Sequence, residues 1–185
     1  GSTGAETAEV IAIAPNRDIL IGGQYENVVN FGGSDLTSAG EEDIFVARYD
    51  QNGDHLWSKS FGAAGSQEIL SAVIDKDGNT YVCGRFATEI DFGGGALPNA
   101  GSVDLFIAKL DAAGTHVWSK SFGSNGNDQC NKVTIDSTAN LLVAGSFQGT
   151  VDVDGTMLTS QGGLDIALMS FDSDGKLGWA KSIGG

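Results

Sequence analysis

One phrase of 13 residues occurs three times at a fixed spacing, and it constrains the fold more than any other feature. It reads DQNGDHLWSKSFG at 50–62, DAAGTHVWSKSFG at 111–123 and DSDGKLGWAKSIG at 172–184. All three tryptophans lie in this phrase, 61 residues apart: Trp57, Trp118 and Trp179. Self-similarity at a fixed period is the signature of a repeat architecture. We therefore divide the chain into three units of one repeat domain: 1–62, 63–123 and 124–185.

The sequence of each unit predicts four short strands. In the middle unit, apolar or β-branched runs at 69–74, 80–86, 105–110 and 116–122 are separated by turn signals. The turns that follow Asp75 and Asp111 are favourable because Asp bonds nearby backbone N–H groups and Gly supplies positive φ. We find no helical stripe of useful length. Tandem units of four antiparallel strands predict an all-β fold, a β-propeller with one four-stranded blade per unit. A solenoid is the competing fold, but its units are usually shorter.

The residues around these turns resemble two propeller families. The run from Asp104 to Gly114, the Val-Trp and Ser-Phe-Gly that follow it, and the run from Ile74 to Gly84 are similar to the bacterial SBBP β-propeller repeats. The spacing AxxDxxGxxxW, from Ala47 to Trp57 and again from position 108, resembles the tryptophan-docking motif of quinoprotein propellers. Both resemblances imply the propeller fold. They do not imply an activity, since one fold hosts many functions.

Three blades are fewer than a closed propeller needs. Propellers typically have four to eight blades, and three blades leave two open faces that carry apolar surface. Two chains arranged head to tail about a twofold axis supply six blades, so we predict a homodimer that closes a six-bladed ring. The alternative is a fragment of a longer propeller.

The charge of the chain excludes one class of partner. The formal net charge is −14, which argues against nucleic-acid binding, because that function needs a basic stripe. No apolar run approaches the length of a membrane span, so we expect none. This acidic composition fits a secreted or surface protein, or one from a salty habitat. Together with the resemblance to bacterial repeats, it leads us to expect a secreted or cell-surface bacterial protein. No signal segment is present in this chain, and its start at Gly1 rather than Met leaves open that a leader has been removed.

Residues that recur once per unit are interpreted as framework. We expect the three tryptophans to fill the wedge between adjacent sheets rather than to stack on a sugar. A structural role is also predicted for the acidic residues that open the third strand, Asp43, Asp104 and Asp165, and for Lys59, Lys120 and Lys181. Catalysis needs unlike groups that converge on one point. We find no nucleophile elbow, P-loop, HExxH or CxxC motif, and we predict that the protein is not an enzyme.

Metal and disulfide candidates are few. His55 and His116 occupy equivalent positions on neighbouring units, so we expect them at the surface and apart from each other rather than on one metal. The turns at Asp50, Asp75 and Asp172 begin like calcium loops but lack the Glu at position 12. We predict no cofactor, with weak calcium binding as an alternative. For Cys83 and Cys130, on adjacent units, the sequence leaves a disulfide and two buried thiols both open.

The tight turns of a unit lie on one face of the ring, which places the long connections between the second and third strands on the other, here called the long-loop face. Function tends to lie on long loops held by a rigid scaffold. The predicted ligand-binding residues on this face are Gln67, Glu68, Asp128 and Gln129 near the axis, with Glu41 and Glu42. The predicted function is a binding module that recognises a glycan or a protein. The alternative is a structural scaffold or oligomerisation element.

Overall fold

The computed structural model describes residues 4–185, and its regular structure is entirely β-strand. Three antiparallel sheets form, each from four strands in meander order. Blade 1 contains β1 (Glu6–Ile13), β2 (Ile19–Tyr25), β5 (Asp43–Tyr49) and β6 (His55–Phe61). Blade 2 contains β7 (Gln67–Ile74), β8 (Thr80–Phe86), β11 (Asp104–Leu110) and β12 (His116–Phe122). Blade 3 contains β13 (Gln129–Ile135), β14 (Leu141–Phe147), β17 (Asp165–Phe171) and β18 (Leu177–Ile183).

These sheets confirm the prediction of an all-β chain with three four-stranded blades. Residues 1–3 of the first predicted unit lie outside the described part of the chain. Nothing in residues 4–185 forms a helix of the length and apolarity that a bilayer crossing requires.

A separate two-stranded hairpin lies between the second and third strands of every blade. The three hairpins are β3 (Val28–Val29) with β4 (Leu36–Thr37), β9 (Glu89–Asp91) with β10 (Ala96–Pro98), and β15 (Thr150–Val153) with β16 (Thr156–Thr159). The sequence predicted long loops here. Instead, Phe92 of the middle hairpin is buried 4.9 Å from the ring of Phe61 in the preceding blade, measured between ring centroids. The tip of the hairpin, at Gly94, reaches His116 near the opposite face. The middle of this long connection is therefore part of the framework.

The hydrophobic core is divided into layers between adjacent blades. One layer joins blades 1 and 2 through residues such as Ile44, Ile69 and Phe106. A second joins blades 2 and 3 through residues such as Leu105 and Val143. These side chains are fully buried, and each contributes about 1.5–3 kcal/mol relative to an exposed position. The innermost strand β7 contacts both β1 and β13, which places the first strands of the blades about a common axis.

One tryptophan at each of the two interfaces between blades bonds to the following blade. The indole Nε1 of Trp57 donates to the carbonyl of Ala112 in blade 2 at 3.0 Å. The Nε1 of Trp118 donates to the carbonyl of Ser173 in blade 3 at 3.1 Å. Each ring lies on a turn glycine. At Gly114, where φ is +76°, an added Cβ would come within 2.9 Å of the Trp57 ring.

Cys83 in β8 and Cys130 in β13 form a disulfide that links blade 2 to blade 3. Their Cα atoms are 5.7 Å apart, within the ordinary range for a disulfide. Both cysteines are fully buried between the sheets. The disulfide is thus the alternative that the structure selects, and it adds a covalent link to one of the two interblade layers.

Reduction of this disulfide should destabilise the protein. The two cysteines are 47 residues apart in the chain, and closing a loop of that length corresponds to about 4 kcal/mol of unfolded-state entropy. We expect the free energy of unfolding in urea to fall by up to that amount when a thiol reductant is present. The matched control is the double variant Cys83→Ala, Cys130→Ala, whose unfolding should not respond to the reductant. An unfolding curve of the parent chain that is identical with and without reductant would contradict the prediction.

Candidate functional site

The long-loop face contains a cavity near the axis, where β7 and β13 begin. Its volume is about 340 Å³, within the size range of small-molecule sites. Blades 2 and 3 supply its polar lining, which includes Glu68, Arg85, Asn127, Gln129 and Ser146. We call this cavity the axial mouth.

Arg85 organises the axial mouth. Its guanidinium meets the Glu68 carboxylate with two nitrogens, Nη2 at 2.7 Å from Oε1 and Nε at 3.1 Å from Oε2. Its Nη1 donates to Oε1 of Gln129 in blade 3 at 3.1 Å. The Arg85 and Glu68 side chains are partly exposed, so the ion pair contributes only about 0–1 kcal/mol to stability. Its effect is to fix a guanidinium, a carboxylate and a carboxamide in one orientation at the opening.

This charged pair occurs in one blade only. The position of Arg85 is occupied by Gln24 in blade 1 and by Ser146 in blade 3. Gln24 is buried and donates to the carbonyl of Ile69 at 3.3 Å, which is a structural role. Because blades 1 and 3 form without an arginine at this position, the framework does not require Arg85. It is the functional candidate that our sequence analysis missed, although it can be found by comparing the three units position by position.

Gln67 and Asp128 are fully buried and hold the segments that lead into β7 and β13. The Asp128 carboxylate accepts from the backbone N of Ser124 at 2.7 Å and from the backbone N of Gln148 at 2.9 Å. The Gln67 Oε1 accepts from the backbone N of Ala63 at 3.2 Å. Of the four residues predicted near the axis, Glu68 and Gln129 are the two that meet Arg85.

Glu41 and Glu42 lie at the rim rather than at the centre. The Glu41 carboxylate accepts from the Ser66 hydroxyl at 3.2 Å, and Ser66 lines the axial mouth. The carbonyl of Glu42 accepts from the backbone N of Gln67 at 3.0 Å. These two contacts connect blade 1 to the entry of β7.

The aspartates that open the third strands are buried in three separate blades. Each accepts from a backbone N–H four residues earlier, at 2.8 Å from Ala39 to Asp43 and at 2.6 Å from Ala100 to Asp104. Asp165 accepts from Gln161 in the same way at 2.9 Å. The second carboxylate oxygens of Asp43 and Asp104 are buried without a hydrogen-bond partner. Burial raises the pKa of both carboxyls above the usual value.

The turn carboxylates are engaged by the backbone. In the turn at Asp136, one carboxylate oxygen accepts from the backbone N of Thr138 and of Asn140 at 2.8 and 2.9 Å. Hydrogen bonding to Asn140 is the main cause that lowers the pKa of Asp136 to about 2.

Across residues 4–185, no three His, Cys, Asp or Glu side chains come close enough to hold a metal ion. His55 and His116 each contact a serine three residues later, Ser58 and Ser119. Weak calcium binding at the turns stays a prediction.

The comparisons with known proteins are consistent with a propeller-like repeat fold, but no family model matches the chain. The uncharacterized WD repeat-containing protein L264 of Acanthamoeba polyphaga mimivirus is 25% identical over 154 residues, covering 74% of this chain and 11% of the relative. The regulatory protein FlaEY of Caulobacter vibrioides is 29% identical over 141 residues, covering 74% of this chain and 15% of the relative. The chain thus spans only a small part of these relatives. A crystal structure of a Bacteroides caccae protein of unknown function is 11% identical and covers 97% of this chain and 82% of that one, at a TM-score of 0.39, which is too low to establish a common fold.

The buried Asp104 gives the protein a specific pH dependence. An acid whose pKa is higher in the folded state binds its proton more tightly there, so the folded state is favoured as the pH falls. The contribution is lost as the pH rises from the ordinary value of 3.8 through the raised pKa. Asp104→Asn does not titrate and keeps an acceptor for the Ala100 N–H. We expect the free energy of unfolding of the parent chain, minus that of the variant, to be larger at pH 4.5 than at pH 7 in urea titrations. A difference that shrinks on acidification would contradict this.

Proposed function

We propose that this chain is a non-enzymatic β-propeller binding module of a secreted or cell-surface bacterial protein, akin to the SBBP repeats, and that its ligand is a glycan held at the axial mouth. The observation that carries the proposal is the set of Arg85, Glu68 and Gln129 in a cavity of about 340 Å³. The Arg85–Glu68 ion pair occurs in blade 2 alone among the described blades, since the same two positions hold Thr7 and Gln24 in blade 1 and Gln129 and Ser146 in blade 3. Framework positions are repeated, whereas this set is not.

The chemistry of the mouth favours a hydroxyl-rich ligand over a protein surface. A guanidinium, a carboxylate and carboxamides present fixed donors and acceptors, which pair with adjacent hydroxyl groups of a sugar ring. Hydrogen bonds to charged groups contribute about 1.5–3 kcal/mol each, so a few of them suffice for micromolar to millimolar binding. A protein ligand would be expected to use an apolar, aromatic anchor surface, whereas the one aromatic residue of the lining, Phe86, is fully buried.

The disulfide supports the proposed location. Structural disulfides persist in oxidising environments and are rare in the cytosol of mesophiles. Cys83 and Cys130 join two blades within the core, so the oxidised form belongs to the folded framework. This supports a secreted or cell-surface protein.

The absence of catalysis is also part of the proposal. A general acid or base needs a proton that it can exchange with a substrate. At the mouth, the Glu68 carboxylate is held by Arg85 through both of its oxygens. The carboxyls with raised pKa, Asp43 and Asp104, are buried beneath the long-loop face in different blades. Both observations support the proposal that the protein binds its ligand without converting it.

A second candidate function is a scaffold or oligomerisation element. It is favoured by the apolar residues exposed on the outward faces of blades 1 and 3, which include Ile11, Ile13, Ile166 and Ile183. Self-association that completes the propeller is part of the proposed function under either candidate. A neighbouring blade of a longer chain is the alternative cover for these faces.

A glycan array tests the binding proposal, with a variant that the repeat itself suggests. The double change Arg85→Gln, Glu68→Gln gives blade 2 the residues that blades 1 and 3 carry at these positions, Gln24 and Gln129, so the fold should tolerate it. We expect at least a tenfold loss of affinity, because two charged hydrogen-bonding groups are replaced by neutral ones. The matched control is Lys59→Ala, which removes a positive charge from an exposed position on β6 and should bind like the parent chain. No binding above background, or equal binding by the double variant, would reject the proposal.

A further inference from the structure

Blades 1 and 3 each present one half of an interface that the chain builds twice in full. In both complete interfaces, the leading blade contributes a Trp and an aromatic residue at the end of its fourth strand. The following blade contributes the carbonyl and the glycine of its last turn. The pairs are Trp57 with Ala112 and Gly114, and Trp118 with Ser173 and Gly175.

Blade 3 carries an uncovered leading half. Ile166 is 50% exposed, whereas its counterparts Ile44 and Leu105 are buried to 0% and 1%. Ile183 is 52% exposed, although its counterparts Phe61 and Phe122 are buried. Trp179 is 40% exposed, and its two counterparts each lie on a turn of the next blade.

Blade 1 carries an uncovered following half. An added Cβ at Gly53 would have no atom within 4 Å, whereas at Gly114 and Gly175 it would meet an indole ring at 2.9 Å. On β1, Ile11 and Ile13 are 72% and 69% exposed. Their counterparts in blades 2 and 3 pack in the interblade core layers.

We propose that blade 3 docks on blade 1 of a second copy of this chain. Trp179 lies on Gly53 of that copy and donates from Nε1 to the carbonyl of Gln51, which is the counterpart of Ala112 and Ser173. Ile183 packs on Phe31, the counterpart of Phe92. Six is the only multiple of three between four and eight blades, so two copies close the ring about a twofold axis.

Docking would also complete the axial mouth. Leu164, which lines the mouth, is largely exposed. Its counterpart Val103 in blade 2 instead bonds to the segment that enters the next blade, since its carbonyl accepts from the backbone N of Asp128 at 2.8 Å. In the closed ring the second copy occupies that place beside Leu164. Both mouths then open on one axis. This inference extends the self-association in the proposed function and does not rest on the ligand.

Engineered cysteines test the docking with the geometry of the native disulfide. Cys83 and Cys130 occupy positions that blades 1 and 2 fill with Gly22 and Ile69, where an added Cβ on Gly22 would lie 3.0 Å from Ile69 Cδ1. The same positions at the proposed interface are Ala144 and Ala8. We expect the variant Ala8→Cys, Ala144→Cys to form a covalent dimer on mild oxidation, at twice the 19.0 kDa chain mass on a non-reducing gel. Peptide mapping should join the segments around positions 8 and 144.

Two controls separate docking from chance cross-linking. Trp179→Ala in the double-cysteine background removes an exposed side chain and should leave the fold intact while it abolishes the covalent dimer. Arg85→Gln in the same background should leave the dimer unchanged, which distinguishes failure of docking from failure of ligand binding. Light scattering on the parent chain should give twice the chain mass. A monomer under oxidising conditions, a ladder of higher species, or a covalent dimer that survives Trp179→Ala would overturn the proposal.

Discussion

The packing of each sheet on the next holds this molecule together. A single four-stranded sheet must bury its apolar faces against another element, so the faces of β-strands such as β5 and β11 depend on a neighbour. The contact is fixed at the outer edge by an indole that bonds across the interface to a backbone carbonyl. That approach requires a turn without a side chain, which Gly114 and Gly175 provide. The contact of Arg85 with Gln129, the disulfide and the axial mouth all depend on sheets held in this order.

The sequence predicted the strands because the framework is repeated. The Trp spacing, the Asp–Gly turns and the β-branched runs recur in each unit, so local and global signals agree. The hairpin β9–β10 was not predicted. Its apolar residues Ile90 and Phe92 stand beside a run of glycines, which reads as an open loop. Their burial depends on Phe61 of another unit, a long-range contact that no local pattern reveals.

The axial residues were predicted only in part, for a reason of strand geometry. Gln67 and Glu68 are neighbours in β7, so their side chains point to opposite sides of the strand. A shift of one residue exchanges the two sides, and a bulge between Ile69 and Ser71 changes the register along this strand. The sequence could therefore place both residues near the axis but could not tell which one faces the cavity. Arg85 could not be predicted from the repeated pattern, because the corresponding residues are Gln24 and Ser146.

Each hairpin covers the end of the blade that precedes it in the sequence. Phe61 ends blade 1 in sequence, yet it is covered by Phe92, half a unit further along the chain. Phe122 likewise shares a core layer with Val151 and Val153 of the following hairpin. The aromatic residue that ends a blade is therefore covered after half of the next unit, whereas its tryptophan is covered only by the last turn of that unit. During synthesis on the ribosome, the aromatic end of each fourth strand would remain exposed to solvent until the hairpin of the next unit has been made and packs on it.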